Sequence, residues 1–174
     1  GMNFLAIGLL SVLSLSEAFI LFCNLVLQKK FIHFTYLVNL SCLESVSNVL
    51  KDILEIFFPE LYRYLKDNDF NYWETIWLEY VPAMFINKFS LQKSFIIWDY
   101  IFLYDFPVIF QFFYSMFWMI SQKIKEINPN QICKELNRIV NDNFKHIIEK
   151  MIDIHFSNSY ICKLNKILKS EKLL

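Results

Sequence analysis

The sequence predicts an all-α protein, a multi-helix array without a β-sheet, on three observations. Only two Gly and four Pro occur in 174 residues, too little turn chemistry for a chain of β-hairpins. Helix-start signals recur along the chain, in the form of capping boxes and a Pro at a first helical position. Apolar residues return at spacings of three and four, the period of a helix with one buried face.

The elements follow in order. A first apolar helix is expected over 3–12. Ser14-x-x-Glu17 is a capping box that opens a second over 15–28. A third spans 36–57 and a short fourth 60–66. Asn71-x-x-Glu74 caps a fifth over 72–86, which carries Trp73, Trp77 and Met84. Ser90 precedes a sixth over 91–103. A seventh over 107–127 begins behind Pro107. Asn128-Pro129 places a cap residue before a Pro whose missing N–H costs nothing in the first turn, opening an eighth over 130–155. Its stripe is Ile132, Leu136, Ile139, Val140, Ile147, Ile148 and Met151. Ile161, Leu164, Ile167 and Leu168 mark a ninth over 158–170. Lys29-Lys30 and Lys66 to Asn71 are the clearest loops.

Composition narrows the function. The formal net charge is zero and gives no ground for a nucleic-acid partner. The chain is long enough for one domain with a substantial core. Cys23, Cys42, Cys133 and Cys162 are far apart and follow no CxxC pattern, so they read as reduced thiols of a cytosolic protein. His33, His146 and His155 lack metal spacing, so no metal is expected. Asp99 and Asp105 could form a paired acid/base site, but no His or glycine loop accompanies them. The charge-free run Phe106 to Ser121 is shorter than the ~20 residues of a membrane span and reads as a central buried helix. Gly1 to Leu27 carries only Glu17, but Ser14 and Glu17 divide it into two short helices. A small integral membrane protein is therefore the weakest reading. Lys163, Lys166, Lys169 and Lys172 read as a solvated basic face, or else as attraction to anionic lipid or an acidic GTPase.

The stretch Phe85 to Phe110 is the most informative. A Trp98-Asp99 pair sits in an apolar run, after Phe89-Ser90 and before Phe106-Pro107. Trp98 should anchor the core, while Asp99 should accept hydrogen bonds that hold the adjoining loop, because a buried Asp must find donors. Trp98, Phe102, Phe110, Phe113 and Phe117 are expected in one core. The chain opens Gly1-Met2-Asn3, continues to Ser16-Glu17-Ala18-Phe19, and then carries Phe58-Pro59-Glu60-Leu61-Tyr62. In their order and spacing over residues 1–120 these motifs resemble the TBC domain, the helical module of Rab GTPase-activating proteins. Gly1-Met2-Asn3 matches the end of that family's Tyr-x-Gln-Gly-Met-Asn motif. Tyr80 stands for its Trp, Ile96 for its Arg, and Tyr104-Asp105 for its Glu-Gly.

The resemblance implies a right-handed helical array equivalent to the C-terminal part of a TBC domain, with residues 1–174 forming one partial domain. It also implies a Rab-type small GTPase as partner, no cofactor, and a cytoplasmic place, peripheral on endomembranes. In the family an Arg finger and a Gln finger enter the GTPase site. This sequence is expected to start just after the Gln, as a domain boundary or a truncated gene model would. On that expectation it has no catalytic residue, is not an enzyme by itself, and supplies scaffold and docking surface. Gly1, Met2 and Asn3 would lie nearest the partner; Trp98 and Asp99 form the structural motif. A non-catalytic GTPase-binding module is the alternative.

Overall fold

A computed structural model describes residues 2–28, 41–104, 107–128, 131–155, 162 and 165–166. Of these residues 83 % are helical, and no strand occurs among them. The chain divides into two compact units.

The first unit comprises Gly1–Leu43 and Thr75–Phe106. Helices α1 (Met2–Leu10) and α2 (Leu15–Gln28) pack together as a hairpin. The expected capping box is present. The Ser14 hydroxyl and backbone N–H both donate to the Glu17 carboxylate, at 2.6 and 3.0 Å. The Glu17 N–H points back at Ser14 Oγ from 3.5 Å.

The fifth helix, α5 (Tyr72–Tyr80), stops six residues before the predicted end at 86. Pro82 has no N–H to continue the ladder. Beyond it the Met84 N–H donates to the Val81 carbonyl and the Phe85 N–H to the Tyr80 carbonyl, at 2.8 Å each. Met84 and Phe85 adopt φ of 48° and 67°. This closure ends a helix by turning its carbonyls inward, usually on a Gly. Here two large buried side chains, Met84 and Phe85, hold it instead. Asn87 Nδ2 and Lys88 Nζ bond back to Glu79, at 2.7 and 2.9 Å.

Helix α6 (Leu91–Tyr104) begins at Ser90, whose Oγ accepts the Lys93 N–H at 3.4 Å. It buries Ser94, Ile97, Trp98 and Ile101, one face at spacings of three and four.

The second unit comprises Glu44–Glu74 and Pro107–Leu174. Helix α3 (Ser41–Phe57) buries Val46, Val49, Leu50, Ile53 and Leu54. Its predicted start at 36 lies outside the described residues. Helix α4 (Pro59–Asp67) carries Pro59 in its first turn and is followed by a left-handed turn at Asp69, whose φ is 54°. The Asp69 and Phe70 N–H groups donate to Lys66 and Leu65 carbonyls, the same closure as at Met84.

Helix α7 (Pro107–Gln122) is the centre of this unit and packs against α4 and against the two helices that follow it. Val108 to Phe113, Ser115 to Phe117, Met119 and Ile120 are all buried. The central-helix reading of this run is therefore correct. A 3₁₀ turn follows at Ile124–Glu126.

The predicted helix 130–155 is two helices, α8 (Ile132–Asp142) and α9 (Phe144–His155). The break is at Asn143. Both its backbone N–H and its side-chain amide donate to the Ile139 carbonyl, at 3.1 and 2.7 Å. A side chain competing for a helix carbonyl is a known reason for Asn to interrupt a helix. The stripe itself holds: Ile132, Leu136, Ile139, Val140, Ile147, Ile148 and Met151 are buried. Gln131, rather than Asn128, precedes α8. Pro129, the predicted first position, lies outside the described residues, as does most of 158–170.

Candidate functional site

Two regions of the first unit carry the residues singled out from sequence. The first is the start of α1. Met2 and Asn3 are exposed there, and Gly1 lies outside the described residues. Met2 leads onto an apolar surface spread over both helices of the hairpin. Ile7, Leu10, Val12, Leu15, Phe19 and Leu27 are all exposed, Leu15 to 74 %. Ala6, Leu10, Leu15, Ala18, Phe19 and Phe22 line a groove of about 230 Å³. Every lining side chain is hydrocarbon. Its two alanines leave the helix backbones open to close approach.

Glu17, the only charged side chain among the described residues of α1, α2 and the turn between them, is held by the cap. The Ser14 hydroxyl bond, then the backbone bond, pull its carboxyl below the ordinary value of 4.5. A fixed carboxylate at the first turn of α2 suits the helix dipole. The cap keeps the carboxylate ionised, an exposed negative charge fixed at the edge of the apolar surface.

The second region is Trp98. Its ring is buried, and its indole N–H donates to the Met84 carbonyl at 2.8 Å. It therefore satisfies the carbonyl that the left-handed turn at Met84 directs inward. Phe95 and Phe102 flank the ring at centroid distances of 5.3 and 5.9 Å. On the far side α1 comes close at Gly8. A Cβ there would overlap Trp98 Cη2 and lie 2.9 Å from Ile86 Cδ1. Gly8 is one of only two glycines in the chain. Sequence reasoning passed over it; a Gly inside a helix, where it is costly, is the signal by which a close neighbour could have been found.

Asp99 is exposed. The burial that would have made it seek donors is absent, because α6 turns Gln92, Ile96, Asp99 and Leu103 to the side opposite Trp98. The turn before α6 is held through Trp98. Asp105, the other half of the imagined acid/base pair, lies outside the described residues. Of the five aromatics expected together, Trp98 and the half-buried Phe102 belong to the first unit. Phe110, Phe113 and Phe117 are buried in the second.

The arginines offer no converging cluster. Arg63 is exposed on α4. Arg138 is held on its own helix by Glu135, with Nε and Nη2 donating at 3.0 and 2.7 Å. That pairing raises its already high pKa. Among the described residues no group of three or more His, Cys, Asp or Glu could hold a metal ion. None of the described helices is long and apolar enough to cross a membrane. Cys23 is half-buried, and Cys133 and Cys162 are exposed, all three as free thiols.

Among known protein families, the model of the Rab-GTPase-TBC domain matches residues 1–125. No curated protein and no solved structure matches the chain.

Proposed function

This chain belongs to the Rab-GTPase-TBC domain family, and from that membership we propose that its 174 residues serve as scaffold and docking surface for a Rab-type small GTPase. In this reading they form one partial domain, and neither catalytic finger lies among them. No Ile-x-x-Asp-x-x-Arg and no Tyr-x-Gln sequence occurs in the chain. Its two arginines, Arg63 and Arg138, sit in ordinary helical settings.

The observation that carries the docking role is the exposure of Met2 and Asn3 at the head of a mainly apolar surface, whose one charged side chain among the described residues of α1 and α2 is Glu17. Exposed apolar patches of this kind mark interaction sites. Gly1, Met2 and Asn3 complete the family's Gln-finger motif, so this end would face the GTPase. Trp98 acts behind it as a structural anchor that fixes α1 through Gly8. The place of action in this reading is the cytoplasm, peripheral on endomembranes, where Rab GTPases work. No cofactor enters the mechanism.

Binding tests the reading. The chain should retain GTP-loaded Rab proteins from a purified panel in surface plasmon resonance. Asn3→Ala and Met2→Asp should weaken that binding, and Asp142→Ala, on α8, should leave it unchanged. Binding that ignores both N-terminal variants would place the docking surface elsewhere.

A further inference from the structure

The second unit contains a cleft that the GTPase reading does not use. It has a volume of about 530 Å³, within the range of sites that enclose a small ligand or a short peptide. One wall is a face of α3. Glu44, Ser47, Asn48 and Lys51 recur at helical spacing, opposite the buried Val46, Val49, Leu50 and Ile53. A polar helix face ordinarily stands convex in water; this one lines a concavity.

The opposite wall comes from α4 and the start of α5. Tyr62 and Trp73 form a tilted ring pair with centroids 5.2 Å apart. Lys66 lies over the Tyr62 ring at 6.0 Å. Ser47 Oγ donates to the Trp73 carbonyl at 3.4 Å and ties α3 to the head of α5. The walls are therefore joined without a ligand. Asn71 and Glu74 complete the lining.

The charges select the ligand. Lys51 and Lys66 are matched by Glu44 and Glu74. A ligand of one sign, such as a phosphate, a polyanion or a metal cation, finds no net charge in this lining to attract it. A ligand carrying both signs finds an opposite charge for each of its own if they are spaced correctly. Along α3 that spacing is seven residues of helix, about 10 Å from Glu44 to Lys51. An extended peptide covers about 10 Å in three residues. Asn48, Asn71 and Ser47 are suited to peptide amides, and the Tyr62–Trp73 pair to an apolar side chain between the charges.

We propose that this cleft binds an extended segment of a partner protein with one basic and one acidic side chain three residues apart. The basic end would lie toward Glu44 and the acidic end toward Lys51.

Fluorescence polarisation on the full chain, with labelled hexapeptides, tests it. The set is Lys-x-x-Glu, Glu-x-x-Lys, Lys-x-x-Lys, Glu-x-x-Glu and an uncharged control. One ampholytic polarity should bind roughly tenfold more tightly than every other peptide, as two exposed ion pairs allow. The Trp73 indole resonance should shift with it. The double variant Glu44→Lys, Lys51→Glu should exchange the preference for the two ampholytic polarities. Circular dichroism establishes that the variant is folded; if it is not, the wild-type ranking and the Trp73 shift decide alone. Equal binding of the single-sign peptides, binding without a Trp73 shift, or no peptide binding would overturn the proposal. So would a folded double variant with an unchanged preference.

Discussion

At Trp98 packing and hydrogen bonding can be separated by substitution. The ring fills the space between Phe95, Phe102 and Gly8, while its N–H satisfies a buried carbonyl in a left-handed turn. Trp98→Ala removes both and should cost about 3–5 kcal/mol. Trp98→Phe keeps most of the apolar contact but orphans the Met84 carbonyl, for about 1–3 kcal/mol. Gly8→Ala tests the other side of the ring. Ala is the better helix former by about 1 kcal/mol, yet its Cβ must displace a rigid ring, so the change should destabilise. Combined with Trp98→Phe it should cost less than the sum of the two, because the smaller ring yields space. Thermal and urea unfolding of the four variants measures this. A stabilising Gly8→Ala would show that α1 can move away from Trp98 at little cost. Glu17 gives the pH-dependent counterpart. Its carboxyl is pulled down by the Ser14 bonds. Its contribution to the cap is therefore present above the unfolded carboxylate value and lost as pH falls through the lower folded value. Carboxyl NMR should find Glu17 titrating below an ordinary glutamate, and Ser14→Ala should return it to that range.

Helices were legible where the signal is local. The Ser14–Glu17 box, Pro59 and Pro107 in first turns, and the stripe from Ile132 to Met151 each rest on residues within a turn or two of each other. Asp99 was misread: it was expected to accept hydrogen bonds that hold the adjoining loop, and it is exposed. The buried set Ser94, Ile97, Trp98 and Ile101 leaves position 99 on the outer side, and the apolar run around it obscured that phase. What escaped were stops that depend on distant partners. The closure at Met84 is completed by an indole fourteen residues later. Asn143 stops α8 through a side-chain bond that the continuous apolar stripe hides. Nor could the sequence show that the hairpin of α1 and α2 leaves so many apolar side chains exposed, since periodicity marks a face without saying what covers it. For α7 the expectation is specific. Its 16 residues span about 24 Å, short of the ~30 Å hydrocarbon core of a bilayer. Its surface is already buried in protein. Any membrane-associated chain should therefore be released by alkaline carbonate, and retention of α7 until detergent is added would mean that it inserts.

For the molecule as a whole the question is what a Rab GTPase gains from meeting it. Phosphoryl transfer is accelerated by charge placed on the transferring group and by a positioned water. An Arg finger supplied in trans contributes ~10³–10⁵ in rate. In this chain one arginine is held by Glu135 on its own helix and the other stands exposed on α4. The glutamines do not fall in a Tyr-x-Gln sequence. Among its described residues, the surface that leads from Met2 and Asn3 over α1 and α2 is mainly apolar and carries no Lys or Arg. Such a surface can hold a GTPase without altering its chemistry. The expected outcome is binding with an unchanged rate of hydrolysis. Single-turnover assays with GTP-loaded Rab proteins should return the intrinsic rate at saturating chain, under conditions where the binding experiment shows the complex formed. A stimulation above about tenfold, abolished by Arg63→Ala or Arg138→Ala, would place a finger within the chain. The same stimulation surviving both substitutions would point to water positioning by another side chain, with Asn3 the first to replace because it heads the proposed docking surface.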